Sequence, residues 1–469
     1  MKKLIYIPCC ILILLFLSGC QDYVNIKTQG QLVPGTLSNY RYLLNNTTAY
    51  ESGPQLTDIA SDDVELVDGS AQQQALNGSD SYKYWLKTYT WQSDVYPIGN
   101  YQTDYDWNVM YNTVTYANVV ISEVPSCNDG TDAQKSALIA EALVHRADAY
   151  LMLVNKYAKQ YNPATASADL GVPLVLTETT EQSLKRASVQ AVYSQIISDL
   201  KTAIPSLPLT QQYNTRPSKP SAYGELARAY LCMGDYANAR TYADSVLQTR
   251  STLDNLSNIT TISSSTYPLR VSDPEILLSK IAYGGIAAYT PTALRLSASL
   301  LTLLGTKDQR YTLFTTAPAN ISSLYTAAGG RFFYRDKAIG EARNIGPSVP
   351  EMMLIEAEYY ARKGETSTAM TWVNNLRKKR FLAANYTDLT ATDANDALVK
   401  VIDERHREFF CRMLRWWDLK RLNNDPLFQK TLTRAFAGTT YTLAPNSDRY
   451  VFAFPPYQIQ LNPEMEQNP

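Results

Sequence analysis

Only two histidines, His145 and His406, occur in the 469 residues, and they stand in separate contexts. A histidine-rich metal site is therefore impossible, and imidazole acid–base catalysis has little to draw on. The 44 Asp and Glu could by chance supply the pair of carboxylates roughly 5–10 Å apart that glycoside hydrolysis needs. No catalytic motif supports that use, and no enzyme is expected. Aromatic surface is abundant instead. The 34 Tyr are roughly twice the usual share, and with the 6 Trp they offer flat apolar faces with polar edges. Such rings stack on the C–H faces of flat, hydroxylated ligands, while planar polar side chains take the hydroxyls. The densest run extends from Tyr82 to Trp107. Trp107 begins an apolar helical stripe and reads as core. Trp85, Trp91 and Tyr96 lie in less periodic sequence and are the expected stacking faces. A second source lies further on: Tyr289, Tyr325 and Phe332–Tyr334, with Arg335 beside them. Asp63, in the pair Asp62-Asp63, is expected to accept from ligand hydroxyls. Asp129 and Asp132 do not match the spacing of an EF-hand loop, and no metal or cofactor is expected.

The elements that must position these groups follow from composition and period. With 45% apolar and 19% charged residues, the chain can bury a sizeable core and is not a disordered polymer. Its 43 Lys and Arg against 44 acids argue against a nucleic-acid binder. Lys2 and Lys3, a mostly apolar run to Leu17, and Leu17-Ser18-Gly19-Cys20 form an export signal too short for a comfortable membrane span. Its ending resembles the lipobox of bacterial lipoproteins, which implies cleavage after residue 19 and acylation of Cys20, tethering the mature chain to a bilayer. Cys127, Cys232 and Cys411 then remain. Odd in number and far apart, they read as buried apolar residues rather than a disulfide framework.

Apolar stripes predict helices over 108–124, 132–160, 189–204 and 395–422. Ala227, Tyr230, Gly234 and Ala239 recur as Ala357, Tyr360, Gly364 and Ala369, each at the same offset. Both sets read as helix, Gly-containing turn, helix, resembling the tetratricopeptide repeat. The expected fold is mainly α, with about four tetratricopeptide-like helix pairs in a superhelical frame, long irregular insertions and little β structure. The largest insertion, about 251–345, is the expected ligand-binding excursion, because binding groups sit on irregular segments carried by rigid frames. The end of the chain, 438–469, reads as extended.

Several strings resemble the SusD/RagB group of outer-membrane nutrient-binding lipoproteins. Glu141-Ala142-Leu143-Val144-His145-Arg146-Ala147, continuing to Tyr150, Leu153-Val154 and Tyr157, is similar to one of its helices, and Gly171-Val172-Pro173-Leu174 comes next in place. Arg216 to Tyr223, Pro350-Glu351, Ile355 to Glu358 and Asn374 to Arg377 resemble its helix-pair segments. Glu404-Arg405-His406-Arg407-Glu408 with Arg415-Trp416-Trp417-Asp418-Leu419-Lys420-Arg421 looks like its most recognisable helix, and Pro455-Pro456, Ile459, Asn462-Pro463 and Gln467-Asn468-Pro469 like its ending. Pro220 and Met413 stand where that group more often has Gly. The charges of the Glu404–Arg421 stretch are expected to pair structurally, with Trp416 and Trp417 anchoring the helix. The resemblance covers 20–469 as one domain. It implies a non-enzymatic protein on the outer face of the outer membrane that captures an oligosaccharide, or in some branches a peptide, and passes it to a SusC-type TonB-dependent transporter. A helical-repeat scaffold that binds only protein is the remaining alternative.

Overall fold

The computed structural model describes residues 35–469 apart from 79–82, 97–102, 180–181 and 283–294. Cys20 and the signal-like segment lie outside the described residues. The frame is built from Tyr105–Glu123 (α1), Asp132–Tyr157 (α2), Val189–Ala203 (α3), Lys219–Met233 (α4), Tyr236–Leu247 (α5), Val349–Arg362 (α6), Thr366–Arg377 (α7), Ala394–Phe409 (α8) and Leu414–Arg421 (α9). Their starts are written in the sequence. Asp104 caps α1 by accepting from the N–H groups of Asp106 and Trp107. Thr131 with Gln134, and Ser218 with Ser221, form capping boxes at α2 and α4. Each cap satisfies amide groups that a helix start leaves unpaired. Every residue of α2 from Ala140 to Tyr157 is buried, so neighbours surround the second half of this helix.

The expected repeats are present. Ala227, Ala239, Ala357 and Ala369 are fully buried where α4 meets α5 and α6 meets α7, because only a small side chain lets two antiparallel helices approach this closely. Gly234 and Gly364 end the first helix of each pair at φ +76° and +79°, a left-handed turn that a Cβ disfavours. Tyr230 stacks on Tyr242 with centroids 5.6 Å apart.

The expected helix over 395–422 is instead two helices, broken at residues 410–413. Cys411 and Met413 adopt φ +58° and +68°, costly for residues with side chains. Side-chain carboxylates pin the break: Asp63 accepts the Cys411 N–H at 2.7 Å, and Asp58 accepts that of Met413. Met413 thus holds a left-handed turn where the resembling family more often has Gly. The two helices remain joined by Arg405, which donates to Asp418 across the break at 3.0 Å. The chain end is largely extended, as read, with one short α-helix. Leu432–Phe436 and Thr439–Leu443 form an antiparallel hairpin, and Pro456–Leu461 is a short helix. Cys127, Cys232 and Cys411 are buried and none of them forms a disulfide, as expected.

The excursion is clamped to the frame by buried ions. Lys280 is fully buried and its ammonium lies 2.7 Å from Asp148 of α2, donating also to the Tyr50 carbonyl at 2.6 Å. Glu225 of α4 is also buried, and neither of its carboxylate oxygens has a hydrogen-bond partner. Burial and the charge of Asp148 push its carboxyl well above the usual range, so Glu225 is held neutral.

Asp254, Asp273 and Glu275 form a second cluster at the base of the excursion. Burial, reinforced by mutual repulsion, raises all three carboxyls to about 7. Arg380 opposes this by bridging Glu275 and Glu408, both at 2.7 Å. Asp254 Oδ2 is buried without a hydrogen-bond partner. Between about pH 4 and about pH 7 the folded chain therefore holds protons here that the unfolded chain has released, and the cluster's contribution to stability falls as pH rises. Asp254→Asn is expected to gain on the order of 1 kcal/mol over the wild type at about pH 8 and little at about pH 4. Urea unfolding at both pH values measures this, and an equal effect at both would refute the titration argument.

Candidate ligand-binding site

Two irregular segments meet on one side of the frame. Ser52–Gly53 pairs in parallel with Ile281–Ala282. Val64–Glu65 (β1), Arg295–Leu296 (β2), Thr315–Thr316 (β3) and Phe332–Phe333 (β4) form an antiparallel sheet in the order β1-β2-β4-β3. The segment 52–65, which precedes the aromatic run, is thus joined to the excursion by backbone hydrogen bonds.

Five of the expected site residues are interior, and each has a structural role. Trp85 is buried on the helix Lys83–Tyr89 with Thr88 and Tyr89. Their spacing of three and four is a helical stripe facing inward, a periodicity that the sequence does carry in this short stretch. Trp91 is only 6% exposed. Its indole N–H donates to the Ala60 carbonyl at 2.9 Å, and the buried Arg434 guanidinium lies over its ring at 4.5 Å. Tyr96 is buried beneath Tyr84, the two rings stacked 6.4 Å apart. Asp63 is fully buried, accepting from His406 at 2.7 Å as well as from Cys411. Arg335 is buried over the ring of Tyr267 and donates to Asp336 at 3.1 Å. None of the five offers a face or a free edge to a ligand, which corrects the expectation for them. Tyr289 lies outside the described residues.

Tyr325 differs. It is half-buried and stacks on Phe332 of β4, with centroids 5.8 Å apart and planes 22° apart. Phe332 is buried and fixes the Tyr325 ring from one side. The adjacent Leu324 is 72% exposed, so this edge of the excursion reaches solvent. Polar groups border it. Arg295 of β2 pairs with Glu65 of β1 at 2.6 Å and donates to the Ala328 carbonyl. Arg331 lies over the ring of Tyr311 at 4.5 Å and donates to the Thr315 carbonyl at 2.8 Å. A ring braced from behind, with guanidinium and carboxylate edges held in fixed geometry, can stack on an apolar ring face and bind hydroxyls at its rim. Arg295 and Glu65 were not singled out in the sequence. Strand pairing between residues some 230 positions apart brings Arg295 to Glu65, and no local pattern announces it.

Two acidic groups could be taken for cation sites: Asp62, Asp63 and His406, and Asp254, Asp273 and Glu275, each set with ligand atoms within 4.8 Å. In the first, Asp62 accepts from Arg415 at 2.6 Å and pairs with Lys430, while Asp63 is taken by His406 and Cys411. In the second, Glu275 is taken by Arg380. Protein cations and amides thus occupy the first set, while in the second Asp254 Oδ2 stays unpartnered.

A tetratricopeptide-like α-helical frame carrying an irregular, sheet-linked excursion is the class that the fold defines. Residues 33–231 match a SusD-like family described as "Starch-binding associating with outer membrane", and residues 350–469 match the SusD family. The chain belongs to the SusD/RagB family. The "SusD-like protein P2" of Formosa agariphila is 26% identical over 369 residues, covering 67% of this chain and 71% of that protein. Among solved structures, a SusD superfamily protein from Bacteroides thetaiotaomicron superposes with TM-score 0.72 at 19% identity, over 92% of this chain and 100% of the other. The surface glycan-binding protein A of Bacteroides uniformis superposes with TM-score 0.65 at 16% identity, over 92% and 99%.

Proposed function

We propose that this protein is a cell-surface glycan-binding lipoprotein. It is tethered to the outer membrane through Cys20 and delivers a captured oligosaccharide to a SusC-type TonB-dependent transporter. Family membership supports the capture role, and the observation that carries it to this chain is the Tyr325 ring, braced by Phe332 at 5.8 Å beside the Arg295–Glu65 pair. The solved relative named as a surface glycan-binding protein has the same fold. The ligand stacks on Tyr325, and its hydroxyls meet the Arg295 and Glu65 edges. The helix pairs face the transporter.

Affinity electrophoresis of residues 21–469 against a polysaccharide panel tests this reading, with calorimetry on any hit. Retardation by one polysaccharide is expected, with Tyr325→Ala weakening binding about tenfold at unchanged thermal stability. Retardation that is indifferent to Tyr325→Ala would remove the ring from the site. Absence of retardation by every polysaccharide would turn the assignment toward the peptide-binding branch. Palmitate labelling that is lost in Cys20→Ser, and co-purification of a TonB-dependent barrel with the tagged chain, test the anchor and the partner.

A further inference from the structure

A pocket of about 340 Å³ opens between the helix Ala298–Leu304, α8, α9 and the turn after α9. It lies away from the Tyr325 ring, which is not among its lining residues. Its volume falls in the range of small-ligand sites. The floor is apolar, made by Ile402, Leu419, Leu422 and Phe428, with Tyr450 at one end. The walls are polar, and their valences are unevenly used. Arg415 spends Nε and Nη2 on Asp62 at 2.6 and 2.9 Å, and among the described residues its Nη1 has no partner. His406 uses Nε2 on Asp63 at 2.7 Å, and among the described residues its Nδ1 has no partner. Asp403 lines the same space, half-buried, and its carboxylate makes no hydrogen bond or ion pair among the described residues. Burial raises its carboxyl despite the guanidinium charges of Arg407 and Arg415 nearby. An acceptor desolvated this way and left unmatched is costly unless something donates to it.

The chemistry of the occupant is set by charge and shape. Asp62 and Asp403 together balance Arg415 and Lys430 around the pocket, so the walls carry no strong field of one sign to select an anion or a metal ion. An apolar floor with separate donors and acceptors around it suits a molecule having a C–H face and several hydroxyls. Two neighbouring hydroxyls can donate together to the two oxygens of one carboxylate. A second pocket of about 300 Å³ adjoins the first, sharing Asn423 and Tyr450, and its walls include Asn162, Asp169 and Asp448.

We infer that the cleft between α8, α9 and the helix Ala298–Leu304 is a second binding site for one or two neutral sugar units, with Asp403 accepting from vicinal hydroxyls and Arg415 donating. This site is independent of the platform at Tyr325, and either can be wrong without the other.

The test uses the full-length protein in a detergent without a sugar headgroup. Saturation-transfer NMR is recorded with D-glucose, D-galactose, D-mannose and D-xylose, with calorimetry on the strongest signal. Ser299→Trp fills the pocket from an exposed helix position, and Asp403→Ala removes the unpartnered acceptor from a half-buried one. Transfer to at least one sugar is expected in the wild type and in Tyr325→Ala. It is expected to vanish in Ser299→Trp and to weaken about tenfold in Asp403→Ala. Retained circular dichroism and melting temperature establish that both variants fold, and Asp403→Ala decides alone if Ser299→Trp does not. Absence of transfer from every sugar, or transfer unchanged in Asp403→Ala, overturns the site. Transfer lost only in Tyr325→Ala overturns it too and leaves the platform standing.

Discussion

Arg310→Met is expected to lower the unfolding free energy by about 3–5 kcal/mol at neutral pH. Arg310 is fully buried and forks to three carboxylates: Asp308 at 2.6 Å, Glu404 at 2.7 Å and Glu408 at 2.7 Å. It joins the helix Gln309–Phe314 of the excursion to α8. Removing it leaves carboxylates buried with less counter-charge than they need. Arg377, at 2.8 Å from Glu404, and Arg380, at 2.7 Å from Glu408, retain part of it. Burial alone would raise the Glu404 carboxyl, but Arg310 and then Arg377 outweigh it and hold the group at about 2. A folded pKa below the unfolded one contributes stability above about pH 4, and this is lost as pH falls toward about 2. The penalty of Arg310→Met should therefore be largest at neutral pH and shrink in acid. Arg310→Lys should recover only part, since an ammonium cannot present the planar fork. Denaturant unfolding across the pH range measures both effects. A loss below about 1 kcal/mol at neutral pH would show that the remaining arginines suffice.

Trp91→Ala should cost about 3–5 kcal/mol as well, by cavity formation in the core. The ring is buried under Arg434, which itself donates to the Ile59 carbonyl at 2.9 Å and to that of Tyr89 at 2.6 Å. Losing the indole opens space beneath a guanidinium and leaves the Ala60 carbonyl unpaired. Trp91 also sits at φ +53°, a conformation retained only because its surroundings impose it. Glycan affinity per folded molecule should not change. A melting temperature equal to the wild type's together with lost binding would restore the ring to the ligand site. Thermal melts paired with calorimetry below the transition separate the outcomes.

These two side chains mark where sequence is informative and where it is not. The helix pairs were legible because their determinants are local: small residues at fixed offsets and a glycine for each left-handed turn. The charges around Glu404 were legible as structural for the same reason, since spacings of three and four place them on one helix face. Their partners were not. Arg310 reaches Glu404 of α8, Asp62 reaches Arg415 of α9, and Arg380 links Glu275 to Glu408, all from positions distant in sequence that only packing brings together.

Aromatic identity alone did not tell inward faces from outward ones. Trp85 and Tyr325 are both flat rings in irregular-looking sequence, yet one faces the core and the other stacks on Phe332 at the edge of the excursion. The inward stripe of Trp85, Thr88 and Tyr89 spans little more than one helical turn, too short to stand out against a chain rich in tyrosine. Asp63 was illegible for a related reason. A carboxylate's composition and position do not reveal whether it will meet solvent or, as here, a backbone amide 348 residues further along the chain. The sequence by itself determined the helical frame and the family, because helix geometry is set within a few residues. The tertiary structure alone decided which rings and charges remain accessible, because accessibility is a property of what the rest of the chain covers.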